Sequence, residues 1–203
     1  IKRQWHSERR TAGNPGSVPV DTASFHHEVF EMPGGNLLVL SIEIETFESY
    51  PSSSSDPGAP PAPANVAGDV VIEFAPDGTI VNEWSLLDML DPFRIGYGSL
   101  GGFWDNQFPE FDGGTRDWSH GNAVIYSPAD DSIIVSLRHQ DVVVKFSRET
   151  GELIWILGPH ENWDQFSFGP FLLQPAGVPF EWQYHQHAST VTPDGKILMF
   201  DNG

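Results

Sequence analysis

The sequence predicts an all-β chain, part of a β-propeller and long enough for about three blades. Three observations predict it. Short β-branched runs recur between hairpin turns. Two kinds of hairpin alternate along the chain, and internal β-repeats of this kind build propellers or solenoids. Helical periodicity is nearly absent. Hairpins that end in bulky aromatics, Trp84 and Trp155, fit blades of four antiparallel strands. Closed propellers have about 4–8 blades. Three blades, a first residue that is Ile1 and an end just past a strand-like run therefore predict a segment of a longer protein. The other blades would come from the rest of that protein or from a partner subunit.

Residues 1–24 read as a leading segment and 25–203 as the partial propeller. The first hairpin type begins with histidine, passes a turn and enters an apolar strand. It occurs at His27 to Leu40, His120 to Leu137 and His187 to Phe200, with turns at Pro33-Gly34-Gly35-Asn36 and Pro193-Asp194-Gly195. The second type runs from Asp69 to Phe74, turns at Pro76-Asp77-Gly78 and returns to Trp84. Its echo runs from Asp141 to Phe146, turns at Glu149-Thr150-Gly151 and returns to Trp155. Leu86 to Leu90 predicts a single helical turn. Ser52 to Ala64, rich in Ser, Pro and Ala, predicts a flexible excursion. Gly96 to Asp117 and His160 to Pro179, rich in Gly, Pro and aromatics, predict ordered rim loops.

Composition excludes several classes. The formal net charge is −18 over 203 residues, which repels nucleic acid and anionic membranes. The chain has no cysteine, so disulfides, thiolate metal sites and cysteine nucleophiles are ruled out. No apolar run reaches the roughly 18 residues of a membrane span.

On so acidic a chain a positive site stands out. In a propeller, residues at the same place in successive repeats face one central volume. His27, His120 and His187 hold that place, with His26 a competitor for the first position. Arg138 follows His120 by 18 residues, at the end of the next strand. A guanidinium there suits a tetrahedral oxyanion; otherwise it makes a surface salt bridge. Asn122, two residues past His120, shares its face on a strand and offers a further hydrogen bond. The bland alternative is that each histidine satisfies a buried carbonyl at a blade entrance.

His185 and His187 alternate onto one face, which raises a zinc or copper half-site. With no carboxylate at comparable spacing and an arginine nearby, the expectation is no metal. Phe103, Trp104, Phe108, Trp118, Trp163, Phe166 and Phe168 either form an aryl-binding rim or pack the long loops. Asp201 and Asn202 read as a strand-ending turn.

Trp118-Ser119-His120-Gly121-Asn122-Ala123, then Ser136-Leu137-Arg138-His139-Gln140, then Gln186-His187-Ala188, resemble the signature of the bacterial arylsulfate sulfotransferases. The resemblance extends from about residue 25 to the end, apart from Ser52 to Ala64. It implies a six-bladed propeller that moves a sulfuryl group from a phenolic sulfate ester to a phenol, in the periplasm or outside the cell. It implies no nucleotide donor or other cofactor. By matched position His187 would be the nucleophile that is transiently sulfated, and His27, His120 and Arg138 its partners, with Asn122 touching substrate. A ping-pong order follows, since a neutral imidazole can attack sulfur near neutral pH. The competing functions are a non-catalytic binding propeller and a sulfate-ester hydrolase.

Overall fold

A computed structural model describes residues 3–203; Ile1 and Lys2 lie outside the described residues. The chain is all-β, as the alternating patterns predict. After β1 (Trp5–Ser7) and β2 (Val18–Val20), which pair in parallel, come β3 (His26–Glu31), β4 (Leu37–Tyr50), β5 (Ala62–Phe74) and β6 (Ile80–Ser85). One helical turn, α1 (Leu86–Met89), leads to β7 (Thr115–Asp117). Then follow β8 (Gly121–Ser127), β9 (Ser132–Leu137), β10 (Val142–Ser147) and β11 (Leu153–Leu157), and finally β12 (His187–Val191) and β13 (Ile197–Phe200).

These strands form two antiparallel meanders and a hairpin. The first sheet has the order β3-β4-β5-β6, with β7 added in parallel along the outer part of β5. The second is β8-β9-β10-β11, and the third is β12-β13. Composition sets each strand's place. The uninterrupted Ser132-Ile133-Ile134-Val135-Ser136-Leu137 run is buried along its whole length in β9, between two neighbours. The outer strand β3 alternates between partly buried and exposed residues.

Alternation also decides which interface each side chain fills. Leu38, Leu40 and Val71 of the first sheet meet Val124, Val135 and Val144 of the second in the main core. Their neighbours Ile125, Ile134 and Val143 point the other way, toward Val191, Ile197 and Met199 of the third hairpin. Val39, Val70 and Ile72 face outward under Val20 and Trp5 of the leading segment and under Phe25 just after it. Burying each such side chain contributes about 1.5–3 kcal/mol, so a one-residue slip would empty both faces at once.

One expectation is corrected. The stretch between the strands is only 51–61 and caps a hairpin much longer than the short strands the sequence predicts; residues 62–64 already belong to β5. β4 and β5 hold one register from Leu37↔Phe74 out to Phe47↔Ala64, then slip by one residue before the last pair, Tyr50↔Ala62. Tyr50 is fully buried and donates its hydroxyl to the Pro92 carbonyl, which ties the extension down.

An ion pair joins the two meanders. The fully buried Glu73 carboxylate of β5 accepts Nε and Nη2 of Arg148 at 2.7 and 2.8 Å, and also the amides of Asn36 and Asn82. Burial pushes the Glu73 carboxyl up, but the guanidinium and the two amides outweigh it and hold the group below its ordinary value. Its stabilisation is therefore present above the unfolded carboxylate pKa and is lost as pH falls through the folded one. Arg148→Ala is expected to cost about 1–3 kcal/mol at pH 7 by urea unfolding, and less in acid, where Glu73 is protonated. An equal loss at both pH values would refute this role.

Candidate active site

Each histidine-led hairpin breaks its ladder at the same point. Pairing slips between His26 and Val29, between Gly121 and Ala123, and between His187 and Thr190. Left-handed backbone accompanies each slip: φ is +55° at His27, +48° at His120 and +52° at Ala188. Bulges of this kind bend the strand and re-aim side chains. At the first position they set His26 and His27 apart. By ladder pairing His26, opposite Leu40, corresponds to His187, opposite Phe200. The turned-out His27 is the one whose ring stands 5.3 Å from that of His120. His187 lies near enough for its charge to depress the His27 pKa.

All three rings have Nδ1 occupied. His187 Nδ1 lies 2.9 Å from the His185 carbonyl, which can only accept, so Nδ1 carries the proton. The Asn202 amide nitrogen Nδ2 stands 2.9 Å from the same atom, a contact between two donors when the Nδ1 proton is on the His185 carbonyl, which turning the amide would relieve. His120 Nδ1 lies 2.5 Å from Oδ2 of the fully buried Asp117. His26 Nε2 donates to the Ser41 carbonyl at 3.3 Å, and burial lowers the His26 pKa to about 4, so that ring is neutral with its lone pair on Nδ1. His27 Nδ1, 2.9 Å away, must be the donor. His27 is also lowered to about 4, by desolvation first and neighbouring imidazoles second. With Nδ1–H engaged, each ring in its neutral form carries its lone pair on Nε2.

Buried amides hold this arrangement. Gln186, fully buried, donates to the Leu137 and Val142 carbonyls and to Ser136 Oγ, which moors the start of β12 to the second sheet. Gln140, equally buried, bonds the Trp118 carbonyl and Ser99 Oγ and accepts from Arg94. Arg138 begins a short 3-10 turn, with its backbone N–H on the His120 carbonyl at 3.2 Å. Among the described residues its guanidinium pairs with no carboxylate, so the salt-bridge alternative is not realised.

Several expectations need correction. Strand alternation does not place Asn122 beside His120, because His120 precedes β8 with left-handed φ. The Asn122 side chain is buried and its N–H donates to the Gln186 carbonyl at 2.7 Å; only its Oδ1 lacks a partner among the described residues. His185 and His187 do not share a strand face. His185 lies before β12 with φ +50°, 3.0 Å from Asp141 and with its ring tilted against Tyr97, centroids 4.8 Å apart. A carboxylate does accompany the histidines: Asp117, His120 and His139 bring ligand atoms within 4.8 Å of one another. Their donor set fits hydrogen bonding rather than a cation. His120 Nδ1 and His139 Nδ1 are donors, to Asp117 Oδ2 and the Asp117 carbonyl, and Asp117 Oδ1 is taken by Trp104.

Trp104, Phe108, Trp118 and Trp163 are buried and pack the long loops. Phe103 remains exposed with its ring 4.9 Å from His120. Sequence reasoning missed an apolar cavity of about 350 Å³ beside His26 and His27, walled by Trp5, Phe25, Val29, Val39 and Phe74. It also missed Asp69, which is wholly buried. Asp69 Oδ2 accepts from Ser119 Oγ at 2.5 Å and from the Gly121 N–H at 2.6 Å, and Oδ1 lies 3.3 Å from His26 Nε2. Burial raises its pKa to about 6.

Asp69 and His26 have opposite linkage to pH. The depressed His26 gives stability that is present above about 6.5 and lost as pH falls toward 4. The raised Asp69 gives stability that is present below about 4 and lost as pH rises through 6. Between pH 4 and 6 their proton counts nearly cancel. Relative to wild type, Asp69→Asn is expected to lose stability on acidification, by up to about 1.4 kcal/mol per pH unit. His26→Gln is expected to gain it. Urea midpoints from pH 4 to 7 check the pair, and slopes of the same sign would refute the assignment.

Residues 10–203 match the family described as Arylsulfotransferase (ASST). A protein of Escherichia coli O6:H1 named arylsulfate sulfotransferase AssT is 31% identical over 172 residues, covering 66% of this chain and 28% of that protein. One of the same name from Lelliottia amnigena is 29% identical over the same shares. The chain therefore spans a little over a quarter of the length of these relatives. Among the described residues, no helix is long and apolar enough to cross a membrane.

Proposed function

The chain belongs to the arylsulfotransferase family, and from that premise we propose that it carries the central site of a β-propeller enzyme that moves a sulfuryl group from an aryl sulfate ester to a phenol. The two meanders and the hairpin are three successive blades in this reading, and their bulged first strands face the propeller axis. An extracytoplasmic location belongs to the same reading.

The observation that carries it is that three imidazoles each have Nδ1 tied and, among the described residues, no partner on Nε2, while Arg138, whose backbone N–H bonds the His120 carbonyl, has no carboxylate partner among those residues. In the first half-reaction His187 Nε2 attacks sulfur, its N–S bond forms and the S–O bond to the aryl group breaks. The imidazolium character that results is stabilised by the His185 carbonyl on Nδ1–H. Entering the first half-reaction doubly protonated, with Nδ1–H on Asp117, His120 gives the departing phenolate its Nε2 proton and is left as the neutral Nδ1–H tautomer. His120 is then the base that takes the proton of the incoming phenol, whose oxygen attacks sulfur and releases His187. Arg138 holds the sulfuryl oxygens; in such loose transfers positioning and charge stabilisation do most of the work.

Mass spectrometry of the full-length protein after brief exposure to 4-nitrophenyl sulfate, without acceptor, tests this. A sulfuryl-sized gain on the His187 peptide, discharged by added phenol with a new ester formed, is expected. Discharge to water at a rate indifferent to phenol would mean a hydrolase. No adduct and no nitrophenol from a folded protein would leave a binding propeller.

A further inference from the structure

Of the three imidazoles, His120 alone is held by a carboxylate, and that carboxylate is itself held. Asp117 is fully buried on β7, with its backbone N–H on the Gly101 carbonyl at 2.8 Å and Ala67 as its ladder partner on β5. Its Oδ2 faces His120 Nδ1 at 2.5 Å, and its Oδ1 accepts Nε1–H of Trp104 at 2.9 Å. Trp104 is buried among Ile42, Ala67 and Phe108, so the indole has no freedom to turn its donor elsewhere. His139 stacks on the other face of His120, with ring centroids 4.7 Å apart, and its Nδ1 is spent on the Asp117 carbonyl.

We infer that Asp117 is a positioning residue whose orientation, locked by Trp104, fixes His120 as the Nδ1–H tautomer and so keeps Nε2 on the substrate side. The inference has an unusual consequence. An asparagine at 117 must keep its oxygen toward Trp104, because the indole N–H requires an acceptor. Its NH2 then faces His120 Nδ1, and two donors cannot share that contact. The ring must shift its proton to Nε2. Removing the indole donor frees the amide to rotate, its oxygen returns to His120 and the original tautomer is restored. A second substitution therefore repairs the first.

The direct test is ¹⁵N NMR of histidine-labelled full-length protein, at a pH where His120 is neutral. Wild type and Trp104→Phe should show His120 protonated on Nδ1, Asp117→Asn on Nε2, and Asp117→Asn/Trp104→Phe on Nδ1 again. An Nδ1–H ring in Asp117→Asn with Trp104 in place would overturn the inference. Should that variant fail to fold, Asp117→Ala removes the acceptor outright. The ring then follows the Nε2–H preference of free imidazole, and persistence of Nδ1–H would again overturn it.

The kinetic arm rests on the sulfuryl-transfer reading. Asp117→Asn should lower kcat by roughly 10²–10⁴-fold, as a wrong tautomer does in serine proteases, with KM little changed. The double variant should recover at least about tenfold over Asp117→Asn. Equal kinetic losses in the single and double variants would overturn the inference for catalysis. A wild-type protein that shows the NMR pattern but no transfer would sink the sulfuryl reading and leave the tautomer lock standing.

Discussion

His187→Asn is expected to abolish both half-reactions, with nitrophenol release falling about 10⁴–10⁶-fold and no sulfuryl adduct forming. The size follows from the role proposed. A nucleophile that carries a covalent intermediate has no substitute when its lone pair is removed, whereas a group that only orients or donates a proton leaves a residue of activity. His27→Asn and His120→Asn should therefore lose less, on the order of 10²–10⁴-fold, and should still form some adduct. The fold should tolerate the change at 187. Gln186 does the anchoring, through three hydrogen bonds into the second sheet, and His187 itself is only partly buried. Burst and steady-state kinetics with matched unfolding curves check this. An adduct of wild-type yield in His187→Asn would place the covalent chemistry elsewhere.

The largest stability effect is expected at Trp118. Its side chain is fully buried in the core between the two meanders and donates Nε1–H to the Arg94 carbonyl at 3.0 Å. Its backbone N–H bonds Ala67 of β5, and its carbonyl accepts from Ser99 and Gln140. Truncating such an indole costs about 3–5 kcal/mol, a large part of the roughly 5–15 kcal/mol that holds a typical domain. Trp118→Phe keeps most of the volume and loses the one bond, so about 1–2 kcal/mol is expected. Urea unfolding of both variants gives the comparison. Losses of equal size would assign the stabilisation to the hydrogen bond instead of to the packed volume. Trp118 lies two residues before His120, so the alanine variant should lose transfer even where it remains folded.

Much of this was legible because the signals were local. Alternating runs and their Gly-containing turns gave the meanders, since side chains on the two faces enter different cores and the register admits little freedom. His120, His187 and Arg138 stand out as candidates in the sequence because they lie at the ends of matched hairpins. The long β4–β5 extension was not, because Glu45, Thr46 and Glu48 do not read as strand. Their pairing is fixed by the partner strand and by Tyr50, contacts remote in sequence. Asp69 and Asp117 were hidden for a similar reason: nothing near either residue separates a buried carboxylate from a surface one. Their partners, Gly121 and Trp104, are supplied by the fold. The buried glutamines left a faint trace, the His-Gln pair at 139–140 and again at 185–186. The failures at Asn122 and His185 have one cause. Both predictions assumed regular strand through residues with left-handed backbone, His120 just before β8 and His185 just before β12, and such a residue removes the period on which alternation depends.

The left-handed backbone at His27, His120 and Ala188 sets a boundary on how this protein can be improved in the laboratory. An L-residue held there forfeits on the order of 1 kcal/mol that glycine would keep. A library screened for heat resistance alone will therefore be drawn to glycine or asparagine at the positions that aim the imidazoles. On the sulfuryl-transfer reading, survivors of such a screen would be sturdier but without transfer, and only a screen that also demands turnover would keep the histidines.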